Sequence, residues 1–167
     1  FVGCTSLKSI TIPDSVTQIE YGAFSGCTSL ISINIPDSVT EIGERAFEYC
    51  SSLTSITIPD SVTEIGDYAF SGCTSLPIIN KIRYADTYLV EAVDKSLTSY
   101  PIKAGTRFIG YGAFEGCTSL TNINIPDSVT EISGAFFGCT SLKSINIPDS
   151  VTEIGNEAFH GCTSLTS

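Results

Sequence analysis

The side chains in this sequence best equipped for chemistry are seven cysteines, one histidine and two rows of carboxylates. Cys4, Cys27, Cys50, Cys73, Cys117, Cys139 and Cys162 follow one another at intervals of 23, 23, 23, 44, 22 and 23 residues. A soft-metal site or a redox pair would need clustered ligands, such as C-x-x-C or neighbouring histidines, and the spacing supplies neither. Seven is an odd number, so complete internal pairing is impossible. Thiols at one fixed place in a recurring unit point instead to a buried column of free cysteines, since Cys behaves as a small hydrophobe. A few disulfides and a metal site are the lesser alternatives. His160 fills the variable slot of "AFHGC", where other units carry Ser25, Glu48, Ser71, Glu115 and Phe137. A slot that accepts any residue is a surface slot. The neighbouring Cys162 belongs to the column, and a buried thiol is a poor nucleophile.

The carboxylates form two rows, Asp14, Asp37, Asp60, Asp127 and Asp149, and Glu41, Glu64, Glu131 and Glu153. Stacked one coil apart, they could offer oxygen ligands to Ca²⁺. The simpler expectation is that each Asp closes a local turn on the backbone and each Glu is solvated. No acid–base or nucleophile constellation emerges. The chain is therefore expected not to be an enzyme and to need no cofactor.

The elements that must hold these side chains are repeats. The 44-residue gap is two units, one of them shortened, so the whole chain has a period of about 23. The unit is L-x-x-I-x-I-P-D-S-V-T-E-I-G-x-x-A-F-x-G-C-T-S. The I-x-I pair has period two, which puts both side chains on one face of a short strand. Pro ends the strand because it lacks an N–H to donate, and Asp-Ser is turn chemistry. Val and Ile lead to a Gly that lets the chain turn, and Ala-Phe refill the interior. A period of 20–29 residues marks a solenoid of leucine-rich-repeat type. The expected fold is a β-rich solenoid of about seven coils, one domain over 1–167, with a parallel sheet on the concave face. A lone coil cannot offset the entropy of ordering its backbone, so the coils must stack. Leu7, Leu30, Leu53, Leu76, Leu97, Leu120, Leu142 and Leu165 should form one internal column. Phe1, Phe24, Phe47, Phe70, Phe114, Phe136 and Phe159 should form another.

Composition narrows the function classes. The formal charge is −10 and 42% of the residues are hydrophobic. An acidic surface argues against a nucleic-acid partner. No apolar run is long enough to span a membrane. The chain opens and closes within a repeat unit, which suggests a piece of a longer protein.

The stretch "IPDSVTEIGDYAFSGCTSL" and its sister copies resemble the BspA-type leucine-rich repeat family over nearly the whole chain. That resemblance implies a cell-surface or secreted protein of a family in which several members act in adhesion to host proteins or to other cells; the fold carries over from it and the ligand does not. Two departures stand out: a one-residue deletion in "EISGAFFGC", expected only to tighten a surface turn, and one irregular unit at 77–108.

In the irregular unit, "TSYPIKAGTRFIGYGAFEGC" aligns without a gap on "TSITIPDSVTEIGDYAFSGC", whereas "KIRYADTYLVEAV" fits no repeat and suggests a β-hairpin or bulged strand pair around "ADT". Residues 77–108 hold five basic and three acidic side chains, and the rest of the chain three basic and fifteen acidic. Tyr and Arg are enriched at binding hot spots. Arg83, Tyr84, Tyr88, Lys103, Arg107 and Phe108 are therefore the first candidates for partner contact. Giving positions 103, 107 and 108 the sister letters Pro, Thr and Glu is expected to leave the coil folded. The second candidate is the polar row between the strand isoleucines, Thr11, Asn34, Thr57, Asn124 and Asn146. The expected function is a non-catalytic module presenting an extended face to a protein or glycan on a host or neighbouring cell. The alternative is an architectural spacer or stalk with no ligand of its own. End-to-end self-association is also expected, because stacked coils leave apolar cross-sections at their ends.

Overall fold

The computed structural model describes all of residues 1–167. The chain divides into two compact units, Phe1–Pro77 and Ile78–Ser167.

Two parallel ladders run through the first unit. One joins β1 (Gln18–Ile19), β3 (Glu41–Ile42) and β5 (Glu64–Ile65) in that order; the other pairs β2 (Ser32–Asn34) with β4 (Ser55–Thr57). The second ladder is the expected one. Ile33 stands opposite Ile56 and Asn34 opposite Thr57, while Thr11 bridges to Asn34 from the coil before. The middle isoleucine of each strand is buried and its two neighbours are exposed, as period two requires. The Glu–Ile ladder is additional to the sequence expectation, which treats that segment as a lead-in to the glycine. A two-residue strand has too little alternation to show a period. Its glycine has a steric reason: a Cβ on Gly66 would meet the Glu44 backbone nitrogen at 2.3 Å.

The unit's polar letters also bind coil to coil. Ser38 Oγ donates to the Val16 carbonyl at 2.7 Å and Ser61 Oγ to the Val39 carbonyl at 2.8 Å, so the Ser after each Asp satisfies a neighbouring coil's backbone. Phe1, Phe24, Phe47 and Phe70 stack with successive ring centroids 5.3 Å apart; Phe24, Phe47 and Phe70 are buried, whereas Phe1 is exposed. Leu30, Leu53 and Leu76 are buried beside them.

The second unit holds one six-stranded sheet. β6 (Ile78–Ile79), β7 (Ile82–Ala85) and β8 (Tyr88–Ala92) are antiparallel neighbours, and β8, β9 (Phe108–Ile109), β10 (Glu131–Ile132) and β11 (Glu153–Ile154) follow in parallel. The "ADT" hairpin therefore forms, with a register shift at Arg83/Tyr84. Its last strand is also a rung of the repeat ladder, since Tyr88 pairs with Phe108 and Leu89 with Ile109. The Gly110 N–H donates to the Leu89 carbonyl just as the Gly66 N–H donates to Ile42.

One step further, Ala92 takes the phenylalanine slot. Its N–H donates to Ala113 O, as the Phe114 N–H donates to Ala135 O. The missing ring is replaced from another position. Tyr100, which stands where sister coils have Ile, packs 5.2 Å from Phe114 at a tilt of 52°. Beyond it Phe114, Phe136 and Phe159 resume parallel stacking at 5.2 and 5.4 Å. The one-residue deletion near Ser133 leaves Glu131–Ile132 in register with both neighbouring strands.

Candidate functional site

The cysteines occupy one place in each coil, and all but Cys4 are buried free thiols. Their hydrogens have a use. Cys50 Sγ donates to the Phe24 carbonyl at 3.2 Å, Cys73 to Phe47 at 3.0 Å, and Cys139 and Cys162 to Phe114 and Phe136 at 3.2 Å. Cys117 differs because its preceding coil has Ala92 in the phenylalanine slot; its sulfur lies 3.5 Å from the Tyr100 hydroxyl instead. Burial pushes the thiols of Cys27, Cys117 and Cys162 up and that of Cys139 up to about 12, so they stay protonated. The column is structural. His160 is exposed, with its ring stacked 5.1 Å from Phe137.

The irregular unit requires a correction. Of its six contact candidates, Arg83, Tyr84, Tyr88 and Phe108 are buried; Arg83 is 8% exposed and Phe108 1%. The physical reason lies in the hairpin, whose strand β8 pairs beside β9 as the preceding rung of the ladder, so that Tyr88 stands opposite Phe108 and β7 covers the far edge of β8. The Lys103 N–H donates to the Tyr84 hydroxyl at 3.0 Å. Lys103 Nζ reaches the Asp86 carbonyl at 3.1 Å and lies 5.5 Å from the Tyr84 ring centre. Lys103 thus staples the hairpin tip to the coil. The Arg83 side chain pairs with Glu91 at 2.8 Å, and the Arg107 guanidinium covers the Phe108 ring at 4.9 Å. The clustering of Tyr and Arg that suggested a recognition patch is largely the packing of the hairpin. The expectation that sister letters at 103, 107 and 108 leave the coil folded is corrected too. Glu at 108 would bury a carboxylate, and Pro at 103 would remove the donor to Tyr84.

The polar row is exposed. Thr11, Asn34 and Thr57 lie side by side in the first unit, flanked by exposed Ser9, Ser32 and Ser55. In the second unit Asn124 and Asn146 continue a row from Pro101, again exposed and bridged in register. Each row is a set of short, uncharged donors and acceptors on a sheet face.

A third surface escaped the sequence reading. In the first unit Tyr21 and Tyr49 are 62% and 59% exposed. Arg45 Nη1 donates to the Tyr21 hydroxyl at 3.2 Å, and its guanidinium carbon lies 5.5 Å from the Tyr68 ring centre. Glu44 and Glu48 stand 3.6 and 3.9 Å from its Nε. Arg45, Tyr49 and Tyr68 have φ of 57°, 59° and 58°, a left-handed backbone that costs a side chain about 1–2 kcal/mol. The slot of Tyr49 is filled by Gly3, Gly26, Gly72, Gly116, Gly138 and Gly161 in the other coils, all at positive φ. The available signal was a tyrosine standing in a glycine slot.

The sequence matches the family described as "BspA type Leucine rich repeat region" in six copies over residues 1–93 and 92–167. The chain belongs to that family. The expectation from the cysteine ruler is about seven coils. Among solved structures, a leucine-rich repeat protein from Bacteroides ovatus shares 32% identity at a TM-score of 0.51, over 99% of this chain and 55% of that one. One from Eubacterium ventriosum shares 30% at 0.52, over 96% and 44%. A leucine rich cell surface protein from Faecalibacterium prausnitzii shares 32% at 0.49, over 98% and 59%. The chain thus spans about half the length of these relatives. No match was found among curated proteins. No helix is long and apolar enough to cross a membrane.

Proposed function

We propose that this BspA-type repeat chain is a non-catalytic binding module of a cell-surface or secreted protein, and that it engages protein or glycan partners through the polar face of its I-x-I strands. The observation that carries this reading is the exposed, uncharged row of Thr11, Asn34 and Thr57, held in register by backbone pairing. A rigid row spaced by one strand, about 4.8 Å, offers repeated hydrogen bonds at little entropic cost. Family membership supports the surface location. The adhesive role rests on the family resemblance alone. The buried hairpin candidates leave this face as the better contact surface, with Lys103 and Arg107 at most peripheral.

The test is binding of the chain to immobilised matrix proteins and cell-surface polysaccharides, beside an Asn34→Glu/Thr57→Glu variant. Both positions are exposed, so the variant should melt like the parent and lose the interaction. Equal binding by both proteins would remove the face from consideration. Absence of binding by either would favour a spacer.

A further inference from the structure

We propose that the turn face of the first unit, built from Tyr21, Arg45, Tyr49 and Tyr68 with Glu44 and Glu48 beside them, docks a basic peptide segment of a partner protein. This surface is separate from the strand face and does not depend on the role proposed for it.

The first argument is strain. A left-handed tyrosine that sister coils replace with glycine works against the fold, and such outliers are retained where they serve a purpose. Packing alone does not account for Tyr49. Its ring lies against Gly72, where a Cβ would meet Tyr49 Cδ1 at 2.5 Å, yet the side chain remains 59% exposed. Arg45 and Tyr68 share a second slot, which Gly22 and Gly112 fill elsewhere and in which Glu157 of the second unit is also left-handed, so the tyrosine at 49 is the more telling outlier. Two slots that tolerate glycine therefore carry large side chains in adjacent coils of one unit.

The second argument is what the surface already holds. Arg45 is a guanidinium over one tyrosine ring, bonded to the hydroxyl of another and flanked by two carboxylates. That is the environment a basic side chain of a partner would seek. Tyr49 offers a further exposed aromatic face.

The third argument is charge. Residues 1–77 carry two basic and nine acidic side chains, a net of −7, whereas residues 78–167 carry six and nine, a net of −3. Asp67 lies beside the same turn, and its carboxyl is held above the usual range by burial and by Glu44. An arriving cation would relieve that crowding. An acidic partner would be repelled by it, and a neutral saccharide would gain nothing from the field.

The experiment titrates the 167-residue chain into labelled peptides of equal length, one rich in Lys and Arg, one neutral and one acidic, and into a neutral oligosaccharide. The basic peptide should bind, and more weakly as salt rises. Tyr49→Gly and Tyr68→Gly install the sister residue; each should weaken binding about two- to fivefold, the scale of an exposed cation–π contact, without lowering the melting temperature. Tyr49→Asn, which tolerates the left-handed backbone, takes the place of glycine if the turn loosens. Arg45→Gly should tighten binding, because it vacates the position over Tyr68 and removes the local positive charge. Wild-type affinity in the tyrosine variants would overturn the proposal. So would weaker binding by Arg45→Gly, or preference for the acidic peptide, the neutral peptide or the saccharide.

Discussion

At the scale of single residues, repetition explains what an isolated reading of the cysteines does not. Each buried thiol except Cys117 donates to a phenylalanine carbonyl of the neighbouring coil, so it joins coils instead of reacting; Cys117 meets the Tyr100 hydroxyl instead. Cys4 is the exposed exception. A colorimetric thiol assay should find one fast thiol in the native chain and seven after denaturation; several fast native thiols would contradict the buried column. The pH response follows from the raised thiols. Below pH about 9, the ordinary thiol value, Cys139 is protonated whether folded or unfolded, and its contribution to stability is complete. Above that the unfolded chain ionises first, so stability should fall steadily as pH rises towards about 12. Cys27, Cys117 and Cys162 shift in the same direction and add to the slope, while Cys50, whose thiol is lowered by its hydrogen bond with Cys73, opposes it. Replacing Cys139 with Ala should flatten the slope while lowering stability near neutrality by about 1–2 kcal/mol, from the lost hydrogen bond and lost packing. Chemical denaturation across that pH range measures both effects.

At the scale of elements, the irregular unit shows a coil rebuilt around a missing ring. Ala92 in the phenylalanine slot and Tyr100 in an isoleucine slot compensate for each other, and the Tyr100 hydroxyl also bonds the Asp94 carbonyl and meets Cys117. Tyr100→Ile alone should open a cavity against Phe114 and cost about 2–4 kcal/mol. Ala92→Phe alone should overpack and cost about 1–3 kcal/mol. Together they recreate the sister arrangement, so the double variant should recover at least ~1 kcal/mol relative to the sum. Strict additivity in urea melts would mean that the two residues do not share one space. This compensation lies at the limit of what the sequence made legible. The I-x-I ladder, the phenylalanine stack and the hairpin at "ADT" were all visible, because period and turn letters are local signals. The burial of Tyr84, Tyr88 and Phe108 was not, because it arises when β8 of the hairpin pairs with β9, some 20 residues further along the chain, and no local period records that. The Glu–Ile ladder was hidden for a different reason: its rungs are two residues long and half polar. The turn face with Tyr49 was legible in principle, as the one tyrosine in a column of glycines, but its exposure and its link to Arg45 were not.

At the scale of the whole molecule, two opposing forces would act if copies of this chain met. The first unit presents an apolar hollow of about 330 Å³ lined by Phe1, Ile10, Ile12, Val16, Ile19 and Phe24. There β1 is the outermost strand of its sheet. The second unit ends its sheet on β11, where Ile154 is about half exposed. Open strand edges beside apolar side chains favour pairing with another chain. The formal charge of −10 opposes that pairing. Salt screens the repulsion and leaves the apolar contact intact, so self-association of this chain should increase with ionic strength. The basic-peptide interaction at the turn face has the opposite dependence, which separates the two processes in one titration. Sedimentation velocity at low and high salt should show the shift from monomer towards larger species as salt and protein concentration rise. Ile12→Glu places a charge in the hollow, at a position already partly exposed; it should hold the chain monomeric at high salt while leaving binding of a basic peptide unchanged. A parent chain that stays monomeric at high concentration and high salt would show that these edges do not pair.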